Sequence, residues 1–149
     1  MIGELPHKPS LIVFTIQKEV AERLVAQPPH MNKLAASVQL WAELEIIMAL
    51  RPNDFNPPPK VDSAIIRCKI KNLRLKNNEL KHYYQVVHIL FKQPRKTILN
   101  NFTEGLGISK EDITKKLKLL GLTGNERPQN LSLETIIKLS TLFLQVFNL

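Results

Sequence analysis

The run Leu11-Ile-Val-Phe-Thr-Ile16, opened by Ser10, constrains this chain more than any other stretch. It is continuously apolar and β-branched, and it reads as a strand buried on both faces, the kind found in parallel sheets. Gln17–Gln27 follows without a linker and places Val20, Ala21, Leu24 and Val25 at helical spacing, until Pro28–Pro29 stops the helix. A strand that passes straight into a helix is half of a βαβ unit. Met31–Leu50 predicts a helix first and, from about Trp41, a strand. Arg51–Pro59 reads as a loop, and Val61–Lys71 as a further strand carrying Ile65, Ile66 and Ile70. The short Pro-rich link predicts that these last two strands pair antiparallel at a sheet end. Three strands are few for an element such as Leu11–Ile16, which calls for helices on its faces and strands beside it. The first half therefore reads as the tail end of a larger α/β domain.

The pattern changes after the basic stretch that ends near Asn78. Leu80, Tyr83, Tyr84, Val87, Leu90 and Phe91 share one helical face up to Pro94. A shorter helix follows from Thr97, with Gly105 and Gly107 as its stop. A third has Ser109 as N-cap, Asp112 at N3, inward Ile113, Leu117 and Leu120, and its end at Gly121. A last, heavily apolar helix starts from Ser132 as N-cap. The expected organisation is α/β over residues 1–72 and all-α over residues 73–149, with the boundary near 72–79.

Composition excludes several classes. With 44% hydrophobic residues in 149, a packed core is expected. No apolar run is long enough to cross a membrane as a helix, and no secretion signal opens the chain. Cys68, the 1 cysteine, reads as a small packed residue, which points to a cytoplasmic setting. His82 and His88 have no partner carboxylate or cysteine at ligand spacing, so no metal site is expected. The net charge of +8 is unevenly placed, about +2 over residues 1–72 and about +6 over 73–149. Such a basic half fits a polyanion partner, most simply nucleic acid, or a solvated charged surface. The 5 glycines include no G-x-G, so no phosphate- or cofactor-binding loop is read.

Phe55-Asn-Pro-Pro-Pro-Lys60-Val-Asp62-Ser63 is a heavily stiffened entry into a strand. Each proline fixes φ and reduces the freedom of the unfolded loop. Phe55 alone reads as a loop residue capping the core. Lys60 contacts a phosphate or caps a carbonyl, with nothing local to choose between them. Asp62 and Ser63 read as fixing the loop-to-strand entry through side-chain hydrogen bonds to backbone. Lys92, Arg95 and Lys96 gather at a helix junction beside Pro94, where arginines and helix N-termini suit phosphate. Lys115, Lys116 and Lys118 read as an ordinary wet helix face.

Four stretches together resemble the ribosomal RNA adenine N6,N6-dimethyltransferase family, in particular its bacterial small-subunit branch. They are Phe14–Leu24, FNPPPKVDSAII at Phe55–Ile66, FKQPRKTILNN at Phe91–Asn101 and RPQNLSLE at Arg127–Glu134, in family order across nearly the whole chain. Pro94 stands where the family usually has a further arginine, and MNKLAA at Met31–Ala36 keeps only Leu34 of a family motif. The resemblance implies the C-terminal strands of a Rossmann-like class I methyltransferase sheet followed by a small helical RNA-binding domain. It implies S-adenosylmethionine as cofactor and small-subunit rRNA, in the assembling subunit, as partner. The reaction it implies is methylation of two adjacent adenines in ribosome biogenesis. The family's cofactor loop and its Asn-Leu-Pro-Tyr-type motif both lie before the strand matched to Leu11–Ile16. The expectation is thus a partial, inactive chain with no catalytic or cofactor-binding residue of its own. The alternative is a non-enzymatic rRNA-binding or assembly module. The implied roles are target-base stacking for Phe55 and RNA contact for Lys18, Arg23, Lys60, Lys92, Arg95, Lys96 and Arg127. An apolar edge on the Leu11–Ile16 strand is expected to drive self-association.

Overall fold

A computed structural model describes residues 9–72 and 77–144. They form two compact units: one runs to Val25 and resumes over Val38–Leu73, the other takes Ala26–Ser37 and resumes at Arg74. The boundary expected near 72–79 crosses residues 73–76, which lie outside the described residues.

The first unit holds β1 (Leu11–Gln17), α1 (Lys18–Val25), the end of α2 (Lys33–Gln39), β2 (Ala42–Leu50) and β3 (Ser63–Ile70). Its sheet has the order β1-β3-β2, and β3 pairs antiparallel with both neighbours. β1 and β2 therefore run in the same direction, with α1 and α2 between them in sequence and β3 slotted between them in space. The expected βαβ relation holds in direction but not in adjacency. α1 packs on the sheet, and its Ala21 and Leu24 are buried, as are Ala64, Ile66 and Cys68 of β3. Burial pushes the Cys68 thiol up, as for a packed residue. The buried Gln39 amide donates to Leu24 O at 2.8 Å, tying the end of α2 to the end of α1.

The expectation that β1 is buried on both faces does not hold among the described residues. Leu11 is 52% and Val13 57% exposed, and on the same outer face Met48 of β2 is 54% exposed. An apolar β-branched run encodes strand propensity. It does not encode which partner covers it or in which direction it pairs. β3, expected at a sheet end with β2, is the central strand.

The second unit contains α3 (Asn77–Leu90), α4 (Ile98–Leu106), α5 (Lys110–Lys118) and α6 (Leu133–Leu142), together with Ala26–Ser37. Tyr83, Val86, Val87 and Leu90 of α3, Ile98 and Phe102 of α4, Ile113 and Leu117 of α5, and Ile136 and Leu139 of α6 are all buried. Phe102 and Phe143 stack with centroids 4.5 Å apart. Tyr83 places its hydroxyl 2.8 Å from Ala36 O, and burial, with Tyr84 adding to it, pushes this phenol well above its ordinary range.

Ser109 and Ser132 cap α5 and α6 as expected, accepting from Asp112 N–H and Thr135 N–H. Thr97 caps α4 by accepting from Asn100 N–H. Gly107 ends α4 in the left-handed region at φ 66°, whereas Gly105 lies inside the helix and stops nothing. A Cβ on Gly105 would stand 2.5 Å from Ile89 Cγ2, so this glycine is there for the close approach of α4 to α3.

Candidate nucleic-acid interface

The strand register assembles the first candidate site. Gln17, the last residue of β1, faces Ser63, the first of β3, which in turn faces Leu50, the last of β2. One sheet end therefore emits both α1 and the proline-rich loop. Lys18, first in α1, donates its N–H to Asp62 O at 3.0 Å, so helix start and loop end are joined directly. The tie is the main-chain carbonyl of Asp62. The side-chain role expected for Asp62 and Ser63 is replaced by this bond and by the ladder that Ser63 opens, because both backbone groups are already in place at the strand start.

At the other end of the loop, the 3-10 turn Pro52–Asp54 is closed by Asp54 N–H to Arg51 O at 3.0 Å and Phe55 N–H to Pro52 O at 3.2 Å. The Asp54 carboxylate accepts from Arg51 N–H at 2.7 Å. Sequence reading missed Asp54, although its place three residues after Arg51, just past the strand end, is a signal for this kind of turn. Phe55 is thereby fixed at its backbone while its ring is only half-buried, and Lys60 is exposed. Phe55, Lys60 and Lys18 thus share one end of the sheet. Arg23 lies in the last turn of α1, roughly 7 Å further along its axis.

The second candidate group lies in the helical unit. Lys92, Arg95 and Lys96 occupy the turn between α3 and α4 and are exposed. Lys96 is engaged: its ammonium lies 2.9 Å from Glu104 Oε2. The hydrogen bond and charge of Lys96 hold the Glu104 carboxyl below its ordinary range, with Lys92 adding to the effect. The buried Asn101 amide donates to Gln93 O at 3.1 Å and holds the turn from below.

The α4 N-terminus is not a free phosphate site, contrary to the expectation for this junction. Its first amides are taken: Ile98 N–H by Glu126 O at 2.9 Å, Leu99 N–H by Gly124 O at 3.1 Å, and Asn100 N–H by Thr97 Oγ1 at 3.3 Å. These same bonds bring Arg127 next to the junction, because Glu126 is its chain neighbour. Arg127 is exposed and leads into the 3-10 turn Pro128–Asn130. The chain segments that carry three of the expected cations, Arg95, Lys96 and Arg127, therefore lie at one end of α4.

Glu126, also missed in the sequence, shapes that loop. Its carboxylate accepts from Thr123 N–H at 2.9 Å, Thr123 Oγ1 at 3.0 Å and Gly124 N–H at 2.8 Å. Burial opposes its ionisation, but these hydrogen bonds outweigh burial and hold the carboxyl below its ordinary range.

The described glycines do not fit the cradle that S-adenosylmethionine would need. A Cβ on Gly105 would meet Ile89 and one on Gly124 would meet Leu99, while Gly107 and Gly121 take left-handed conformations with nothing near. They serve packing and turns. Among the described residues no group of three His, Cys, Asp or Glu is placed to hold a metal, and no helix is long and apolar enough to cross a membrane.

The model of the family "Ribosomal RNA adenine dimethylase" matches residues 3–145 of this chain. "Ribosomal RNA small subunit methyltransferase A" of Dehalococcoides mccartyi is 33% identical over 132 residues, covering 88% of this chain and 45% of the relative. The protein of the same name from Clostridium acetobutylicum is 33% identical over 132 residues, covering 87% of this chain and 48% of the relative. The chain spans about half the length of these curated relatives. A dimethyladenosine transferase from Plasmodium falciparum superposes with a TM-score of 0.83 at 23% identity, over 98% of this chain and 61% of that one. The 23S rRNA methyltransferase ErmE superposes with a TM-score of 0.69 at 21% identity, over 93% of this chain and 56% of that one. The three-stranded sheet and six α-helices of the described residues thus occur within methyltransferase structures. With a family model matched from residue 3 to residue 145, the chain belongs to the ribosomal RNA adenine dimethylase family.

Proposed function

We propose that these residues form the RNA-facing part of an S-adenosylmethionine-dependent rRNA adenine N6,N6-dimethyltransferase acting on small-subunit rRNA in the cytoplasm. Phe55 stacks on the target adenine, Lys18, Arg23 and Lys60 meet the nearby backbone, and Lys92, Arg95, Lys96 and Arg127 bind rRNA from the helical unit. The division of labour is a methyltransferase part over residues 1–72 and an RNA-binding part over 73–149, with Ala26–Ser37 of the first part packed in the helical unit. The shared direction of β1 and β2, joined through helices, supports reading them as strands of a Rossmann-like sheet in which β3 is an antiparallel insertion.

The observation that carries the reading is the loop Arg51–Asp62, braced at both ends and holding a half-buried aromatic at the sheet end. A flipped base needs such a rigid stacking face. The 149 residues by themselves bind no S-adenosylmethionine and transfer no methyl group, since their described glycines provide no cradle for it. The chain also self-associates through the exposed apolar residues of β1.

The test is binding of a labelled rRNA hairpin with two unpaired adenines to the 149-residue chain and to Phe55→Ala. Stacking is worth about 1–3 kcal/mol, so Phe55→Ala is expected to weaken binding roughly 5- to 150-fold. Equal affinity of the two proteins refutes the role of Phe55. Stoichiometric S-adenosylmethionine uptake in a calorimetric titration refutes the inactive reading.

A further inference from the structure

A second stripe, on a different face of the helical unit, carries chemistry that none of the residues above uses. Lys81, Tyr84, Gln85, His88 and Ile89 of α3 line an open cleft of about 510 Å³. Their spacing is that of one helix face over two turns. No carboxylate lines the cleft. Lys33, in the segment of α2 that belongs to this unit, donates from its ammonium to Nδ1 of His88 at 3.1 Å, which leaves the ring proton on Nε2. Lys33, Lys81 and His88 are exposed. Between the two ends of this basic stripe lies Gln85, whose Oε1 is buried and meets no donor among the described residues. A buried acceptor without a partner is costly, and turning the Gln85 amide so that Oε1 meets a donor from a ligand in the cleft removes the cost.

We infer that this cleft is a nucleotide site for one unstacked residue of RNA, with the base amine on Gln85 and the phosphate on Lys81, His88 and Lys33. A carboxamide pairs in bidentate fashion with adenine, accepting from N6 and donating to N7. Tyr84, held by its hydroxyl 3.3 Å from Ser37 O, supplies a ring edge or face beside the base. Backbone recognition through cations and base recognition through an amide are the two components of single-strand readout. The inference rests on the reading that this chain meets RNA, but it uses none of the residues assigned above.

The test uses the full 149-residue chain with a short fluorescein-labelled oligoadenylate, and with the same oligomer made of purine riboside, which lacks the N6 amine. The wild type is expected to prefer the adenine oligomer roughly 5- to 150-fold, and Gln85→Leu to lose that preference. Gln85→Leu also removes the unpaired acceptor, so its urea midpoint is expected to rise, whereas a Gln85 that serves the fold alone would lower it. Lys81→Ala is expected to weaken both oligomers alike and to reduce the slope of log affinity against log salt by about 0.7. Lys81 is exposed, so this variant folds whatever Gln85→Leu does. Retained preference in Gln85→Leu together with unchanged affinity and salt slope in Lys81→Ala overturns the inference. If the hairpin above still binds and still responds to Phe55→Ala, the proposed function survives that result. If no RNA binds the wild type, both fall.

Discussion

Replacing Glu126 by glutamine should loosen the loop that closes the start of α4. The carboxylate accepts three hydrogen bonds, from Thr123 N–H, Thr123 Oγ1 and Gly124 N–H, at 2.8–3.0 Å. A hydrogen bond to a charged group contributes about 1.5–3 kcal/mol and one to a neutral group about 0.5–1.5 kcal/mol. Glutamine keeps one acceptor oxygen, and solvent around the loop screens part of the difference. The expected loss at neutral pH is therefore about 1–2 kcal/mol. The pH dependence has a definite sign. The folded carboxyl titrates below its ordinary value, so its contribution is complete above the unfolded pKa of about 4.3 and disappears as pH falls through the depressed folded value. Urea unfolding of both proteins, followed by far-UV circular dichroism from neutral pH down to about pH 3, measures the gap between them. The gap should be full at neutral pH and close in the acid limb. Glu104 and Glu134 are shifted in the same direction, but they are present in both proteins and cancel. A gap that stays constant into acid, or none at neutral pH, refutes the assignment of the carboxylate to this clamp. Native-state hydrogen exchange adds a local readout: Ile98 and Leu99 amides, bonded to Glu126 O and Gly124 O, should exchange faster in the variant.

Gly105→Ala sets a helix-propensity gain of about 1 kcal/mol against overpacking of about 1–3 kcal/mol from Ile89, whose Cγ2 lies 2.5 Å from the new Cβ. Thermal melts should show net destabilisation in the native background and net stabilisation when Ile89→Ala is also present; stabilisation in both backgrounds would show that the close approach costs nothing. Val13→Lys puts a charge on the exposed face of β1, where Val13 is 57% exposed. Sedimentation velocity should find concentration-dependent association in the native chain and less of it in the variant, and a clean native monomer at high concentration removes the self-association reading.

What the sequence made legible was local. The strand at Leu11–Ile16, the helix that follows it, and the switch from helix to strand near Trp41 all follow from periodicity over a dozen residues. Ser109 and Ser132 were readable as caps because the acceptor and the amide it serves are three residues apart. Gly105 and Gly107 looked alike in sequence, and only backbone geometry separates them: Gly107 has the positive φ, while Gly105 makes room for a side chain sixteen residues earlier. Pairing was less legible still. β1 meets β3 about fifty residues later, and no pattern inside Leu11–Gln17 states the direction of that meeting.

The candidate site divides along the same line. Phe55, Lys60 and the basic turn were found as residue types, but their company was not. Phe55 and Lys18 share a sheet end because Gln17, Ser63 and Leu50 stand abreast in the register, a fact distributed over three strands. Arg127 joins Arg95 and Lys96 because Glu126 O accepts from Ile98 N–H, a bond between segments whose separation no motif spans. That bond also uses the amide that a phosphate would otherwise take. The proposed recognition of an anion at this corner would then come from side chains alone, more sensitive to salt and less to backbone position than a helix N-terminus would be. The same contacts that gather the three cations thus determine the kind of readout they can give.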